Sequence, residues 1–476
     1  SGVTPHYAVK CYSDERIIKH LDSLGCNFDA AGGGELLKLK ACGVDPQKVI
    51  VTKPVRNPAD LLAIAEYQPR ALVVKDPIDL DMLKMVRIPN ENYSPQILQR
   101  LVIPFSRLNR FGAEIAHYWK DSSGEAHWKL DKTQIRSLFE RAAEIETETG
   151  FKYGAFGTTV HIGTNNTDLK KVAATLNILD DVRTTLAKEG FNLSIMDLGG
   201  GLPDKEEPKK NGTTQEEYIA KFGDLIRRFK EQNPDVELIN EPGRFMVADS
   251  GTVFLRVTRV DLRSESFAPG GKVELGNNLI VEVDDSIYHH FLGRWHEGER
   301  VGPNLLKLKV FDFFPLRLTE SLDPLSAKQL KAIPFGQSCD SSDVLGEPLL
   351  SKNLQAGDYL MVPNMGAYVG DVKVKEFNTL PDPQTCFYHR TGKGIEIHTL
   401  IDPNPLDPIE YHRLLGAPKE PPKVLFSRTG SSSLMPDFSR VPTLSHIVGS
   451  LAGEKNSALL ELLRPTLIST GTSQQG

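Results

Sequence analysis

From Tyr7 to about Gly243, short runs of β-branched and apolar residues alternate with longer segments whose apolar positions recur at helical spacing. Eight of the short runs are expected to be strands: His6 to Lys10, Asn27 to Ala30, Val49 to Thr52, Ala71 to Lys75, Leu101 to Phe105, Thr158 to Gly163, Ser194 to Leu198 and Glu237 to Asn240. Between them, Ser13 to Leu24 carries Ile17, Ile18, Leu21 and Leu24 on one helical face and stops at Gly25. Asn57-Pro58 opens another helix with proline at its first position. Thr167 to about Lys188 is apolar at Val172, Leu176, Leu179, Val182 and Leu186 and ends at Gly190. Strands followed in turn by helices predict an α/β fold, a closed (β/α)8 barrel of the TIM type. The open doubly wound sheet, in its dinucleotide-binding form, would place Gly-x-Gly-x-x-Gly after the first strand, and that turn is missing.

After Arg244 the pattern changes to β-type runs with turns: Gly251 to Val260, Leu279 to Val283, Lys307 to Phe311, Lys331 to Phe335 and Tyr359 to Val362. A β domain should therefore follow the barrel, giving domains of 1–246, 247–400 and a C-terminal extension, 401–476. Tyr388 to Arg390 and Ile395 to Leu400 read as the last strands. Gly416 to Pro442, rich in Pro, Ser and Lys, reads as a loop, and Ser457 to Leu463 as a short helix.

Composition narrows the function. The 476 residues, 39% hydrophobic and 25% charged, are ordinary globular material. Against 62 acidic side chains stand 56 basic ones, a net charge of -6, and no basic stripe tracks a phosphate backbone, so nucleic acid is not an expected partner. No apolar run reaches the roughly 18 residues of a membrane span, and no signal pattern opens the chain, which is expected to be cytoplasmic. Cys11, Cys26, Cys42, Cys339 and Cys386 are scattered, with no Cys-x-x-Cys pair, which disfavours a disulfide framework or a zinc ribbon. His289, His290 and His296 lack the His-Glu-x-x-His spacing, so no metal is expected there.

The expected strand ends carry Lys10, Asp29, Lys53, Asp76, Arg107, His161, the triplet Gly199-Gly200-Gly201, and Glu241 with Arg244. Barrel chemistry collects at that rim, and an inert barrel needs no such set there. Successive glycines let backbone amides approach an anion, Arg244 offers a forked cation to a phosphate, and Thr164, close to His161, offers a hydroxyl to the same anion. A lysine at a strand tip suits a Schiff base with a carbonyl cofactor. A carboxylate such as Glu241, set against a pyridine nitrogen, keeps that ring cationic and makes it an electron sink. Together these residues call for pyridoxal 5'-phosphate.

Tyr7-Ala8-Val9-Lys10, His161-Ile162-Gly163-Thr164, Asp197-Leu198-Gly199-Gly200-Gly201 and Glu241-Pro242-Gly243-Arg244 resemble, in order, the motifs of the pyridoxal-phosphate-dependent ornithine/lysine/arginine/diaminopimelate decarboxylases, a family with an alanine-racemase-like barrel. Asp285-Ser286-Ile287-Tyr288, Gly336 to Asp343, Gly366-Ala367-Tyr368 and Phe377-Asn378 continue the likeness, which spans roughly residues 5 to 378 and is greatest to the ornithine-type members. The resemblance implies that Lys10 holds the cofactor, Asp29 bonds near it, His161 stacks on its ring, and Glu241 supports its nitrogen. It further implies that Gly199, Gly200, Gly201, Gly243, Arg244, Thr164 and Tyr368 belong to the cofactor site. Cys339 would return a proton to the α-carbon, and Asp340, with Tyr288, would meet the distal ammonium of a basic amino acid. The family's head-to-tail homodimer brings the Cys-Asp loop of one subunit to the lysine of the other.

There are two departures from the family. Only nine residues precede Lys10 where the family has a further segment, as a shortened or renumbered chain would show. The second aspartate that ornithine-type enzymes place after Asp-x-x-Tyr is missing from Arg294-Trp295-His296-Glu297, where Glu297 is the candidate substitute. Three readings therefore stand: a decarboxylase of ornithine, lysine or a related amino acid; a relative performing another α-carbon reaction in specialised metabolism; and a non-catalytic regulatory homologue, against which Lys10, Glu241, Arg244 and Cys339 together speak.

Overall fold

A computed structural model describes residues 2–84, 92–103, 112–114, 116–120, 122–123, 126–130, 133–268, 272–295, 299–300, 306–307, 313–318, 322–325, 328–374, 377–379, 385–391 and 394–401. The expected extension 401–476 lies, but for its first residue, outside them, as do Arg107 and Glu297.

Eight parallel strands form the first unit: β1 (Thr4–Ala8), β2 (Asn27–Ala30), β3 (Val49–Val51), β4 (Ala71–Val74), β5 (Gln96–Val102), β6 (Phe156–Thr159), β7 (Leu193–Asp197) and β8 (Glu237–Asn240). Their order is β4-β3-β2-β1-β8-β7-β6-β5, and the β4–β5 pairing closes the ring. The predicted barrel is present. Inside it, Ile50, Ala71, Val73, Leu98, Ile195 and Ile239 form one buried cluster drawn from five strands. Gly157 supplies the space this packing needs, since a Cβ there would lie 2.7 Å from the Ile195 side chain. Outside, the helices Leu169–Ala187 and Gln215–Gln232 bury Leu176, Leu179, Phe222 and Ile226 against Met196 and Leu238.

Helix starts follow local chemistry. Asp14 caps Glu15–Ser23 by accepting from the Arg16 N–H, and Asn57 and Asp60 form a reciprocal capping box at Pro58–Tyr67. Ile18 and Leu21 are buried as the spacing predicts, whereas Leu24, expected on the same face, falls past the last turn and is 69% exposed.

Several strand limits differ from expectation. β1 stops at Ala8, and Val9–Cys11 form a single 3-10 turn, so Lys10 stands just past the strand. β6 ends at Thr159 because β7 leaves the ladder soon after its own end, turning at Gly199 with φ +68, which places His161 in a loop. β5 runs earlier than the expected Leu101 to Phe105, beginning at Gln96.

The second unit begins at Asp249. Its main sheet has seven strands, β9 (Thr252–Ala268), β10 (Lys272–Val283), β11 (Phe314–Leu318), β12 (Leu322–Pro324), β13 (Gln329–Phe335), β14 (Leu349–Ser351) and β15 (Tyr359–Pro363), in the order β12-β11-β15-β9-β10-β13-β14. Leu255, Val257, Val281, Phe291, Leu345 and Leu360 lie in its core. Thr385–Thr391 and Gly394–Ile401 pair as a separate antiparallel hairpin. No helix among the described residues is long and apolar enough to cross a membrane.

His6 in β1 is fully buried, its Nδ1 3.3 Å from the Thr4 carbonyl oxygen. Burial lowers its pKa from 6.5 to about 4, so the folded state resists the protonation that the unfolded chain accepts. The stability this neutral histidine allows is fully present above pH 6.5 and is lost as the pH falls toward 4. By pH 5 the loss amounts to roughly 2 kcal/mol. Urea titrations at neutral pH and at about pH 5 should show a smaller loss for His6→Gln than for the wild type, and equal losses would remove His6 from this role.

Candidate active site

The mouth of the barrel gathers charged side chains where water is scarce. Asp29, one residue before the end of β2, is fully buried, and the Lys10 Nζ donates to its Oδ2 at 2.8 Å, while the Thr52 hydroxyl donates to Oδ1. Lys10 itself is 41% exposed, so the amine is both anchored and reachable. Glu241, directly after β8, is buried beside Asp197 at the end of β7. Desolvation, compounded by the charges of Asp197 and Asp29, raises the Glu241 pKa well above the usual carboxylate range. Burial thus favours the neutral form of Glu241. Asp197 is also raised by burial, and it accepts from the Thr159 hydroxyl at 3.0 Å and the Gly199 N–H at 2.9 Å.

The loops after β6, β7 and β8 are stitched together above these carboxyls. The Gly200 N–H donates to His161 Nδ1 at 3.3 Å, which makes Nδ1 the acceptor and leaves the ring proton on Nε2. Burial first, then the charges of Arg100 and Lys10, lower the His161 pKa to about 4, so the imidazole is neutral at pH 7. The Asn166 N–H donates to the Gly201 carbonyl at 2.8 Å, and the Glu241 N–H to that of Gly199 at 2.9 Å. Two of the glycines are obligatory: Gly199 and Gly201 hold φ of +68 and +107, and a Cβ on either would stand 2.2 Å from a carbonyl oxygen. Thr164 is exposed in the loop that carries His161. Arg244, buried, opens the short helix Arg244–Val247. Gly243 packs on the lysine turn, where its Cβ would meet that of Cys11 at 2.9 Å, and the Ala8 N–H donates to the Pro242 carbonyl at 3.1 Å.

Two other strand-end residues serve the scaffold. Lys53 pairs with the helix-capping Asp60 at 2.7 Å, and Asp76 accepts from the Ile78 N–H at the start of Pro77–Lys84.

In the second unit, the loop after β13 carries Cys339 and Asp340. The Tyr288 hydroxyl donates to Asp340 Oδ2, which lowers the Asp340 pKa and pushes that of Tyr288 up to about 12. Tyr368, also in this unit, holds φ +60 and packs over Gly293. His289 and His290 both face the buried Asp285, at 3.5 Å and 2.6 Å. Burial alone would raise the Asp285 pKa, but His290 and His289 hold it at about 2.

Residues 1–248 match the family described as "Pyridoxal-dependent decarboxylase, pyridoxal binding domain". The chain belongs to this family. Its cofactor is pyridoxal phosphate, and it acts as an amino-acid decarboxylase, a carbon–carbon lyase. "Ornithine decarboxylase 2" of Drosophila melanogaster is 27% identical over 387 residues, covering 81% of this chain and 86% of the relative. "Antizyme inhibitor 2" of Xenopus laevis is 24% identical over 367 residues, 77% of this chain and 72% of its own. The solved structure of a lysine/ornithine decarboxylase from Vibrio vulnificus, complexed with putrescine, shares the fold at a TM-score of 0.59 and 22% identity, over 80% of this chain and 86% of that one.

The residues in hand fit the family's cofactor. Glu241 Oε1 is buried without a hydrogen-bond partner among the described residues, as suits a group reserved for a ring nitrogen, and the glycine turn has no space for side chains.

The sequence reading overlooked two participants. Arg100 influences both His161 and Asp197, but it stood before the expected start of its strand; the alternation Ile97, Gln99 and Leu101 would have extended that strand back to it. Asp197 was noted only as part of the glycine motif, although a carboxylate at the end of an apolar run, Leu193 to Met196, was itself the signal.

Gly199→Ala combines a left-handed backbone with a collision against the Val160 carbonyl. It should cost about 2 kcal/mol or more and empty the cofactor site. Thermal melting and retained cofactor absorbance check this, and a variant that matches the wild type in both would contradict the geometry.

Proposed function

We propose that this protein decarboxylates a basic amino acid, ornithine or lysine in type, to the amine and carbon dioxide. The observation that carries the reading is the Lys10 amine held 2.8 Å from a fully buried carboxylate, beside a buried Glu241 with one oxygen unengaged.

Pyridoxal phosphate, when bound, supplies the electron sink for the charge left at the α-carbon as carbon dioxide departs. Lys10 is the amine that would hold its carbonyl carbon, oriented by Asp29 and Thr52. Glu241 would present the unengaged Oε1 to the ring nitrogen, with Asp197 buried beside it. A neutral His161 would lie against the ring face. Unlike a cationic imidazole, it does not repel a protonated ring. The amides of Gly199, Gly200 and Gly201, with Arg244, Thr164 and Tyr368, would receive the phosphate, and Gly243 would keep that wall against the lysine turn.

The remaining roles belong to the second unit. Cys339 would deliver a proton to the α-carbon, and Asp340, held by Tyr288, would pair with the distal ammonium, with Glu297 as a further carboxylate for that charge. We place these groups at the lysine of a second subunit, in a cytoplasmic homodimer with shared active sites; the family membership supports this arrangement. Retention of Lys10 with its buried carboxylate favours catalysis over a purely regulatory role.

Carbon dioxide release from ornithine, lysine, arginine and diaminopimelate, offered in parallel to the holoenzyme, tests the reaction. Release from ornithine or lysine is expected, and silence with all of them, despite bound cofactor, would move the assignment to another α-carbon reaction. Lys10→Ala should abolish the absorbance of the lysine-bound cofactor and lower turnover by several orders of magnitude. An unchanged spectrum would overturn the site.

A further inference from the structure

Cys339 stands on a loop whose backbone is fixed from below. The buried Asp343 accepts from the Ser286 hydroxyl at 2.8 Å, the Ile287 N–H at 2.7 Å and the Ser338 N–H at 3.1 Å, binding the loop to the Asp285 to Tyr288 segment. Asp340 is occupied by Tyr288 and by the Ser342 N–H. These bonds hold the chain on either side of Cys339, but neither carboxylate's bonds reach the thiol.

The sulfur is met by Asn378. Its Nδ2 donates to Cys339 Sγ at 3.3 Å, and its Oδ1 accepts from the Cys339 N–H at 3.1 Å. The second bond fixes the sense of the first. A backbone N–H can only donate, so the amide oxygen faces it and the amide hydrogens face the sulfur. Asn378 reaches this position with φ 53 and ψ 16, a left-handed conformation that asparagine tolerates better than most residues. The turn Phe377–Thr379 is itself anchored, because the Phe377 ring packs 4.3 Å from that of Tyr288. One short turn thus braces the residue that holds Asp340 and grips the thiol next to it.

We propose that Asn378 is a positioning residue for Cys339: its amide N–H holds Sγ in place and supports the negative charge left on sulfur when the thiol proton passes to the substrate α-carbon. The inference rests on the proton-donor reading of Cys339. The balance is simple: the S–H bond breaks, the α-carbon gains the proton, and the sulfur keeps the electron pair until solvent reprotonates it. Were that proton to reach the cofactor's carbon instead, water would add to the former α-carbon and its bond to nitrogen would break, so that the amino group would stay with the cofactor and the substrate would leave as an aldehyde carrying the water's oxygen. The ratio of aldehyde to amine therefore reports how well the thiol is placed.

Two substitutions separate gripping the sulfur from bracing the loop. Asn378→Gly keeps the left-handed turn and removes both bonds. Asn378→Asp keeps the acceptor for the Cys339 N–H and replaces the donor to sulfur with another acceptor. In the full-length holoenzyme, both should raise the aldehyde share about tenfold, the scale that one hydrogen bond to a charged atom typically controls, with KM little changed. Without substrate, iodoacetamide should label Cys339 several-fold more slowly in Asn378→Asp, followed by mass at that peptide, which separates it from Cys386 and from Cys11, Cys26 and Cys42, the last three less exposed than Cys339. Unchanged partition and labelling in Asn378→Asp, or an effect confined to Asn378→Gly, would overturn the proposal. Cys339→Ala runs beside them: clean amine formation by that variant would remove the proton-donor reading and the proposal with it, while aldehyde from Cys339→Ala and none from the Asn378 variants would remove only the role of Asn378.

Discussion

Three carboxyl groups, Asp29, Asp197 and Glu241, are buried at one end of the barrel, and the site is arranged around the cost of keeping charge there. Water would normally stabilise each anion, and here it is largely excluded. Asp29 is compensated by the Lys10 ammonium, while burial and the neighbouring charges of Asp197 and Asp29 raise the pKa of Glu241 and so favour its neutral form. These solutions leave a reactive amine fixed in place beside a carboxyl group whose neutral form is favoured, so the features that chemistry requires are also those that make the buried acids tolerable.

Much of this arrangement was legible in the chain. The barrel followed from eight short apolar runs separated by helical periods, because a strand and a helix bury their residues at different spacings and the signal repeats. Lys10, Asp29, His161, the glycine triplet and Glu241 could be found because they are chemically conspicuous at the ends of such runs. Strand limits were less visible: where β6 ends depends on the neighbour that turns away at Gly199, a tertiary fact that the β-branched Thr158-Thr159-Val160 run does not carry. Arg100 was missed for the same reason. The pairing of Asn378 with Cys339 spans 39 positions and leaves no periodic trace at all.

The second unit handles its polar groups differently. Asp343 and Asp285 are buried acids that hold backbone and histidine partners, and they build a platform from which Tyr288, Cys339 and Asp340 extend. Stability is concentrated under the loop and reactivity on top of it, the division expected where side chains must be held rigidly yet remain accessible.

The seam between the first and the last barrel strand has a further meaning. β1 leads to Lys10 and β8 to Glu241, and the two strands pair directly, with the Ala8 N–H bonded to the Pro242 carbonyl. The two ends of the barrel sequence thus meet across the binding site, which does not exist until the ring has closed. A chain that has made only seven barrel strands has neither the closed ring nor Glu241. Occupancy of the site is consequently a count of completed barrels, and a ligand that binds only the closed ring draws the population of half-wound chains toward it by mass action.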